Sequence, residues 1–441
     1  MGDVLMNKEL FDFIEKCPTS YQTVAETARI LTDDGYEKLG ECGTWNLSRG
    51  GKYYVTRNLS SLIAFRVPDR HMSGFMISAS HSDSPCFKIK ENAQLKDRLY
   101  VKLPTEKYGG MLMATWFDRP LSVAGRIVVK TDAGIETKLV DLKEPVAIIP
   151  SVAIHMNRNA NENATYNPAK DMIPLAGLQG TFSLRREAAK AAGVDEDAIV
   201  STDLFVYNVE RGVEWNGMIS APRLDDLQCV YASLEAFIKA KETKSIPVMC
   251  IFDNEEVGSA TKQGAASTFL SDTLERIKYS LGLGDAEFKS AVASSMMVSC
   301  DNAHAVHPNH PEYADPDNDP VPGGGIVIKY NANQKYTSDA VSSALFKLIC
   351  GAAGNVPTQR YSNRADIPGG STLGNISNTK VSLITVDIGI AQLAMHSSYE
   401  SAGAADTEYM VAALTEFFSS YMTTSADGRY NLIGSSGAKR E

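Results

Sequence analysis

The sequence is poor in the features that mark secreted, membrane or nucleic-acid-binding proteins. Its seven cysteines are scattered and nowhere form a C-x-x-C pair. That excludes a disulfide scaffold or a cysteine-rich zinc module and fits a reducing compartment. No apolar run reaches the roughly 18 residues that a membrane span needs. The opening stretch MGDVLMNKELFDFIEKC has no basic region followed by an apolar one, so no secretory signal is read there. Positive charge is also short, with 43 Lys and Arg against 53 Asp and Glu and a formal net charge of −10. A nucleic-acid coat or an anionic-membrane binder needs the opposite balance. The chain contains no G-x-S-x-G elbow and no G-x-x-x-x-G-K-[ST] phosphate loop. The expectation is a cytoplasmic protein with neither nucleic acid nor membrane as a partner.

What is present is ordinary globular composition: 441 residues, 44% hydrophobic and 22% charged. At about 150 residues per domain, the length allows roughly three domain equivalents. The N-terminal segment reads as two helices separated by Pro18. Gly74–Ala79 reads as a strand. From Ala93 to Gly217 the texture is β-dominated, with strands Gly125–Lys130 and Lys138–Leu142 around a turn and one helical segment at Arg185–Ala192. After Ile219 the pattern becomes α/β. Leu227, Val230, Leu234 and Phe237 mark one helix face, and Ile246–Phe252, Ser295–Ser299 and Val381–Ile390 read as strands. A closing helix carries Met410, Leu414, Phe417, Phe418 and Tyr421, and Gly434–Glu441 is expected to fray. Strands alternating with helices predict a mostly parallel sheet covered on both faces. The domains read as 1–92 with 218–441, interrupted by 93–217.

The chemistry-bearing residues fall at strand ends. Gly74–Ala79 runs into His81-Ser82-Asp83, Ile246–Phe252 into Asp253-Asn254-Glu255-Glu256, and Ser295–Ser299 into Asp301, while His396 follows Val381–Ile390. Open α/β sheets bind ligands at the carboxyl ends of their strands. Each piece also has an ordinary reading: a solvated turn at His81, helix capping by Asp225 and Asp226, a surface pair at Glu255 and Glu256. The functional reading makes His81 a metal ligand whose other ring nitrogen Asp83 holds. Neighbouring carboxylates such as Glu255 and Glu256 repel unless cations stabilise both. His304, His307 and His310 form an H-x-x-H-x-x-H run, but Pro308, Pro311, Pro316, Pro320 and Pro322 crowd it. A continuous helix is excluded there, so the three imidazoles are not expected to converge.

Taken in order, HSDSP at His81, WFDRPLSVAG at Trp116, SAPRLDD at Ser220, FDNEEVGS at Phe252, CDNAHAVHPN at Cys300, RADIPGGSTLG at Arg364 and AMHSSYE at Ala394 resemble the M18 family of metallo-aminopeptidases, which includes aspartyl aminopeptidase. The resemblance implies an α/β fold: a mostly parallel-sheet two-metal peptidase domain interrupted by a β-rich dimerisation domain. It implies two divalent ions per subunit, Zn2+ first, with Mn2+ or Co2+ as alternatives. His81, Asp225 and Asp301 would bind one ion and Asp225, Glu256 and His396 the other, leaving Asp226 as a helix cap. Glu255 would be the general base and Asp83 would orient His81. His155 resembles a family histidine that reaches into the partner subunit's active site, and relatives assemble as dimers and often as tetrahedral dodecamers. The chain departs from the MHSxRE of many relatives at Tyr399, and Ala365 replaces a polar residue of several relatives. These motifs therefore do not carry over a strict acidic preference.

The expected activity is removal of the N-terminal residue from peptides. A preference for Asp or Glu there needs local cations, for which Lys329 and Arg364 are the candidates, with Gly370 as a further pocket residue. Rival readings are a neutral-residue aminopeptidase of the same family, a two-metal carboxypeptidase or amidohydrolase, and a catalytically silent assembly protein.

Overall fold

Strands Gly74–His81 and Ser245–Phe252 are buried at every position, as strands covered on both faces must be. They lie side by side and parallel at the centre of the computed structural model, which describes residues 2–434 apart from Arg70, Gln94, Lys96 and Asn163. The tail expected to fray lies outside the described residues from 435 onward. The central sheet is ordered Glu37–Leu39, Lys52–Arg57, Ser61–Arg66, Ser245–Phe252, Gly74–His81, Met296–Cys300, Ile384–Gly389, Ile326–Tyr330, Thr358–Ser362. The four middle strands are parallel, so their carboxyl ends open on one edge. Antiparallel partners enter only at Ser61–Arg66 and Ile326–Tyr330.

The two-residue period of a strand sends alternate side chains to opposite layers. Met249 and Ile251 join one core with Phe13, Leu227, Phe237, Phe346 and Phe417. Those come from helices Gly2–Lys16, Leu224–Lys239, Ala340–Ala352 and Asp406–Phe418. Val248 and Cys250 join the other, with Phe269, Ile277 and Phe288 from helices Phe269–Ser280 and Asp285–Ala293. A separate core around Phe87, Val123, Ile127 and Val206 belongs to an antiparallel sheet. Its strands run in the order Thr105–Tyr108, Cys86–Ile89, Ile199–Asn208, Leu121–Thr131, Gly134–Asp141. The mixed α/β fold with a β-rich body inserted in it is the architecture that the sequence pattern predicts.

Three features differ in detail. Cys86–Ile89 precedes residue 93, yet it pairs with Ile199–Asn208 in the inserted sheet. Val213–Trp215 precedes 218, yet it pairs with Met218–Ala221. Strands this short carry no local sign of their partner, because pairing is decided by long-range contact. Tyr421 is not on the closing helix. That helix ends at Phe418, Ser419 and Ser420 turn their hydroxyls back onto the Thr415 and Glu416 carbonyls, and Tyr421 opens a strand. A further sheet, unforeseen in the sequence, joins Val213–Trp215, Met218–Ala221, Glu400–Gly403, Ala391–Leu393 and Ala303–His304. It delivers the loops that carry Asp225 and His396 to the edge where His81 and Asp301 end. No described helix is long and apolar enough to cross a membrane.

Candidate metal centre

His81 closes its strand with a ring that is 1% exposed. Its Nδ1 lies 3.0 Å from the Asp83 carbonyl. A carbonyl only accepts, so Nδ1 carries the hydrogen and Nε2 is left as a donor atom for a cation. That Nε2 is 3.3 Å from Asp225 Oδ1 and 3.8 Å from Asp301 Oδ1. His396, at φ +66°, is built the same way. Its Nδ1 is 2.6 Å from the Gly110 carbonyl, and its Nε2 is 3.5 Å from both Asp225 Oδ2 and Glu256 Oε2. One set of potential ligand atoms joins His81, Asp225, Asp226 and Asp301, and another joins Asp225, Glu256 and His396, each within 4.8 Å. Asp225 belongs to both. Gly389 lets the neighbouring strand pass close by, since a Cβ there would stand 2.0 Å from the Asp301 carbonyl oxygen.

The charge balance of this pocket is unfavourable without cations. Burial pushes Glu255 up to about 8, with His81 opposing and Asp301, Asp83 and Asp225 adding to the rise. Burial likewise raises Glu256 and Asp226 well above the carboxylate range. Burial disfavours the Asp225 charge too, yet the adjacent His396 and His81 imidazoles overrule it and lower its pKa. The imidazoles move the other way. Burial opposes a charge on His396, but Asp225 and Glu256 raise it to about 10, and for His81 the aspartates around it do the same. Asp225 Oδ1 and Glu256 Oε1 are buried with no hydrogen-bond partner. Bare carboxylate oxygens beside imidazole Nε2 atoms form a donor set for a divalent cation.

The structure brings His81, Asp83, Asp225, Glu255, Glu256, Asp301 and His396 together. Lys329 and Gly370 line the same cavity. The Lys329 amine is buried, donates to the Asp301 carbonyl at 2.8 Å and lies 3.4 Å from Asp301 Oδ2. Arg364 stays away, paired with Asp366 at 2.6 Å in a neighbouring groove. His155 sits in an exposed turn outside this chain's own site. Asp226, itself non-helical, makes no capping bond: its Oδ2 accepts the His81 N–H at 3.1 Å and its Oδ1 has no hydrogen-bond partner. His307 and His310 face each other at 5.3 Å on an exposed loop, apart from the centre. Glu400 was missed as a site residue. Its carboxylate accepts the N–H of Asp225 at 3.1 Å and that of His396 at 2.8 Å, tying both ligand loops together. Its only local signal is membership of the AMHSSYE stretch.

A mixed α/β sheet with such a donor set at its carboxyl edge belongs among the metallopeptidases. Within that class the chain belongs to the M18 aminopeptidases: residues 13–418 match the family described as aminopeptidase I zinc metalloprotease (M18). A probable M18 family aminopeptidase 2 of Clostridium novyi is 44% identical over 424 residues, covering 93% of this chain and 98% of that protein. Among solved structures, a chain from the cryo-EM structure of the Ape4 and Nbr1 complex superposes with a TM-score of 0.90 at 33% identity, covering 95% of this chain and 86% of that one. The S. cerevisiae mApe1 dodecamer superposes at 0.81 and 29% identity, covering 93% and 95%.

Glu400→Ala removes the shared acceptor of the two ligand loops. The expected result is a divalent-ion affinity lowered by about 10-fold or more, the usual effect of losing a group that orients ligands. Competition with a chelator measures it, and an unchanged affinity contradicts the role given to Glu400.

Proposed function

We propose that this aminopeptidase works with two Zn2+ ions per subunit. His81, Asp225 and Asp301 hold one, and Asp225, Glu256 and His396 hold the other. The observation that carries this reading is the sharing of Asp225 between two ligand groups with bare buried oxygens. The nitrogen and oxygen donors suit Zn2+, with Mn2+ or Co2+ also accommodated. When bound, such ions would lower the pKa of a coordinated water and polarise the scissile carbonyl.

Glu255 is the proton carrier. Its buried carboxyl stands at about 8 in the ion-free chain, and nearby cations bring it down toward neutrality. In that range it takes a proton from the attacking water and hands it to the leaving amine nitrogen. Asp83 orients the His81 ring, its carbonyl 3.0 Å and its Oδ1 3.4 Å from Nδ1. Glu255→Gln keeps the shape and loses the shuttle. Turnover is expected to fall by about 10^3-fold with ion content unchanged by elemental analysis, and near-normal turnover overturns the assignment.

The finer substrate reading is a preference for Asp or Glu at the N-terminus. Lys329 supports it as the buried amine on the cavity wall. Arg364 is engaged elsewhere, so a second cation does not contribute. A panel of Asp-, Glu-, Leu- and Lys-p-nitroanilides is expected to favour the acidic pair, with the advantage lost in Lys329→Met. Faster cleavage of Leu discards the acidic pocket.

The inserted body serves as the dimer contact in this proposal, and His155 works in the partner subunit's site. Exposed Val152 (63%), Ile154 (45%) and Met156 (83%) around His155 supply an apolar surface to cover, and the likeness to a dodecameric structure points the same way. Mixing inactive His155→Ala with inactive Glu255→Gln is expected to restore part of the activity through hybrid dimers. No recovery, with dimers shown by sedimentation, removes His155 from the reaction. The free cysteines favour a cytoplasmic setting, which cell fractionation checks.

A further inference from the structure

Residues 108–115 bring the insertion against the metal centre. The Tyr108 hydroxyl lies 2.6 Å from Asp83 Oδ2, and Asn254 Nδ2 lies 2.8 Å from that hydroxyl. Two residues on, the Gly110 carbonyl takes the Nδ1 hydrogen of His396. The Leu112 N–H donates to the His396 carbonyl at 3.0 Å, and Thr115 Oγ1 accepts the Ser398 N–H at 2.9 Å. Gly109 makes the approach feasible. Its φ is +76°, and a Cβ there would stand 3.2 Å from the Glu256 Cβ.

The direction of the hydrogen bond at Tyr108 follows from its neighbours. Asn254 Oδ1 accepts from Thr261 Oγ1 at 2.9 Å and from Gln263 Nε2 at 2.8 Å, so the Asn254 amide nitrogen faces Tyr108. That nitrogen only donates, which leaves the Tyr108 proton for Asp83. Asp83 therefore receives Tyr108 O–H and the Glu256 N–H at Oδ2, and the Glu255 N–H at Oδ1. The Tyr108 ring is braced edge-on against Phe205 of the inserted sheet, 5.7 Å between centroids.

We infer that Tyr108 is a positioning residue for the metal centre. Through the Asp83 carboxylate it holds the Glu255-Glu256 main chain, so the inserted body sets how tightly ions are kept. The inference rests on the two-ion reading above. Asp83 is buried, and each donor fixes the orientation of its carboxylate. Without the hydroxyl, Oδ2 keeps only the Glu256 N–H, and the carboxylate loses one of the three donors that fix it. Groups that orient ligands in this way change ion affinity by about 10–100-fold.

Tyr108→Phe deletes the hydroxyl and keeps the ring on Phe205. In competition with a chromogenic chelator, Zn2+ affinity is expected to fall by about 10-fold or more. At saturating Zn2+, kcat is expected to fall while KM holds within about twofold, because Tyr108 acts on the centre and not on substrate binding. Asn254→Asp replaces the amide donor facing Tyr108 with an acceptor, and it is expected to weaken Zn2+ in the same direction. Tyr21→Phe is the comparison. It removes a hydroxyl from the same boundary, where it lies 3.4 Å from Asp203, and leaves Zn2+ affinity at the parent value. Parental Zn2+ affinity in both Tyr108→Phe and Asn254→Asp overturns the positioning role. A parent protein that binds fewer than two ions instead overturns the two-ion reading, and this inference with it.

Discussion

Carboxylates crowd the carboxyl edge of the central parallel strands with too little positive charge around them, and the remaining structure is arranged about that imbalance. Asp225, Glu256 and Asp301 converge there with Glu255, Asp83 and Glu400 close behind. Like charges in a low-dielectric site cannot all ionise unless cations join them. Burial raises Glu255 and Glu256, while the carboxylates around them raise His81 and His396. A centre of this kind is well suited to hold divalent ions.

Main-chain N–H groups supply much of the order. Asp83 takes those of Glu255 and Glu256, Glu400 takes those of Asp225 and His396, and Asp226 takes that of His81. Each such carboxylate fixes a loop that carries ligands, without itself needing to touch an ion. These bonds stabilise the charged form of the acceptor while ordering the donor loop, so electrostatics and geometry are served by one contact. The inserted body enters the same network through Tyr108 and Gly110. The site is thus a product of three sheets, and none of them holds all of its His, Asp and Glu side chains.

Much of the site was legible because a strand buried on both faces must be apolar until it ends. Gly74–His81 and Ser245–Phe252 therefore announce His81 and the Asp253–Glu256 run as the first groups beyond the core. Asp301 follows Met296–Cys300 for the same reason. Other residues gave no such sign. Glu400 meets Asp225 across 175 residues, and Asp226 meets His81 across 145. Capping was the natural local reading for Asp226, and only the approach of a distant strand replaces it. Arg364 looked like a pocket cation until its pairing with Asp366, two residues away, left it in another groove.

The amino-acid sequence by itself determined the family, the alternation that makes the parallel sheet, and which residue types stand at its carboxyl ends. Those follow from local patterning, since burial and the two-residue strand period act on neighbouring residues. The tertiary structure alone decided which atoms meet: that Asp225 lies against both His81 and His396, that Cys86–Ile89 joins the inserted sheet, and that a tyrosine of that body donates to Asp83. Such choices depend on the approach of segments far apart in the chain, and the cost of bringing them together is balanced only by cores that form as a whole.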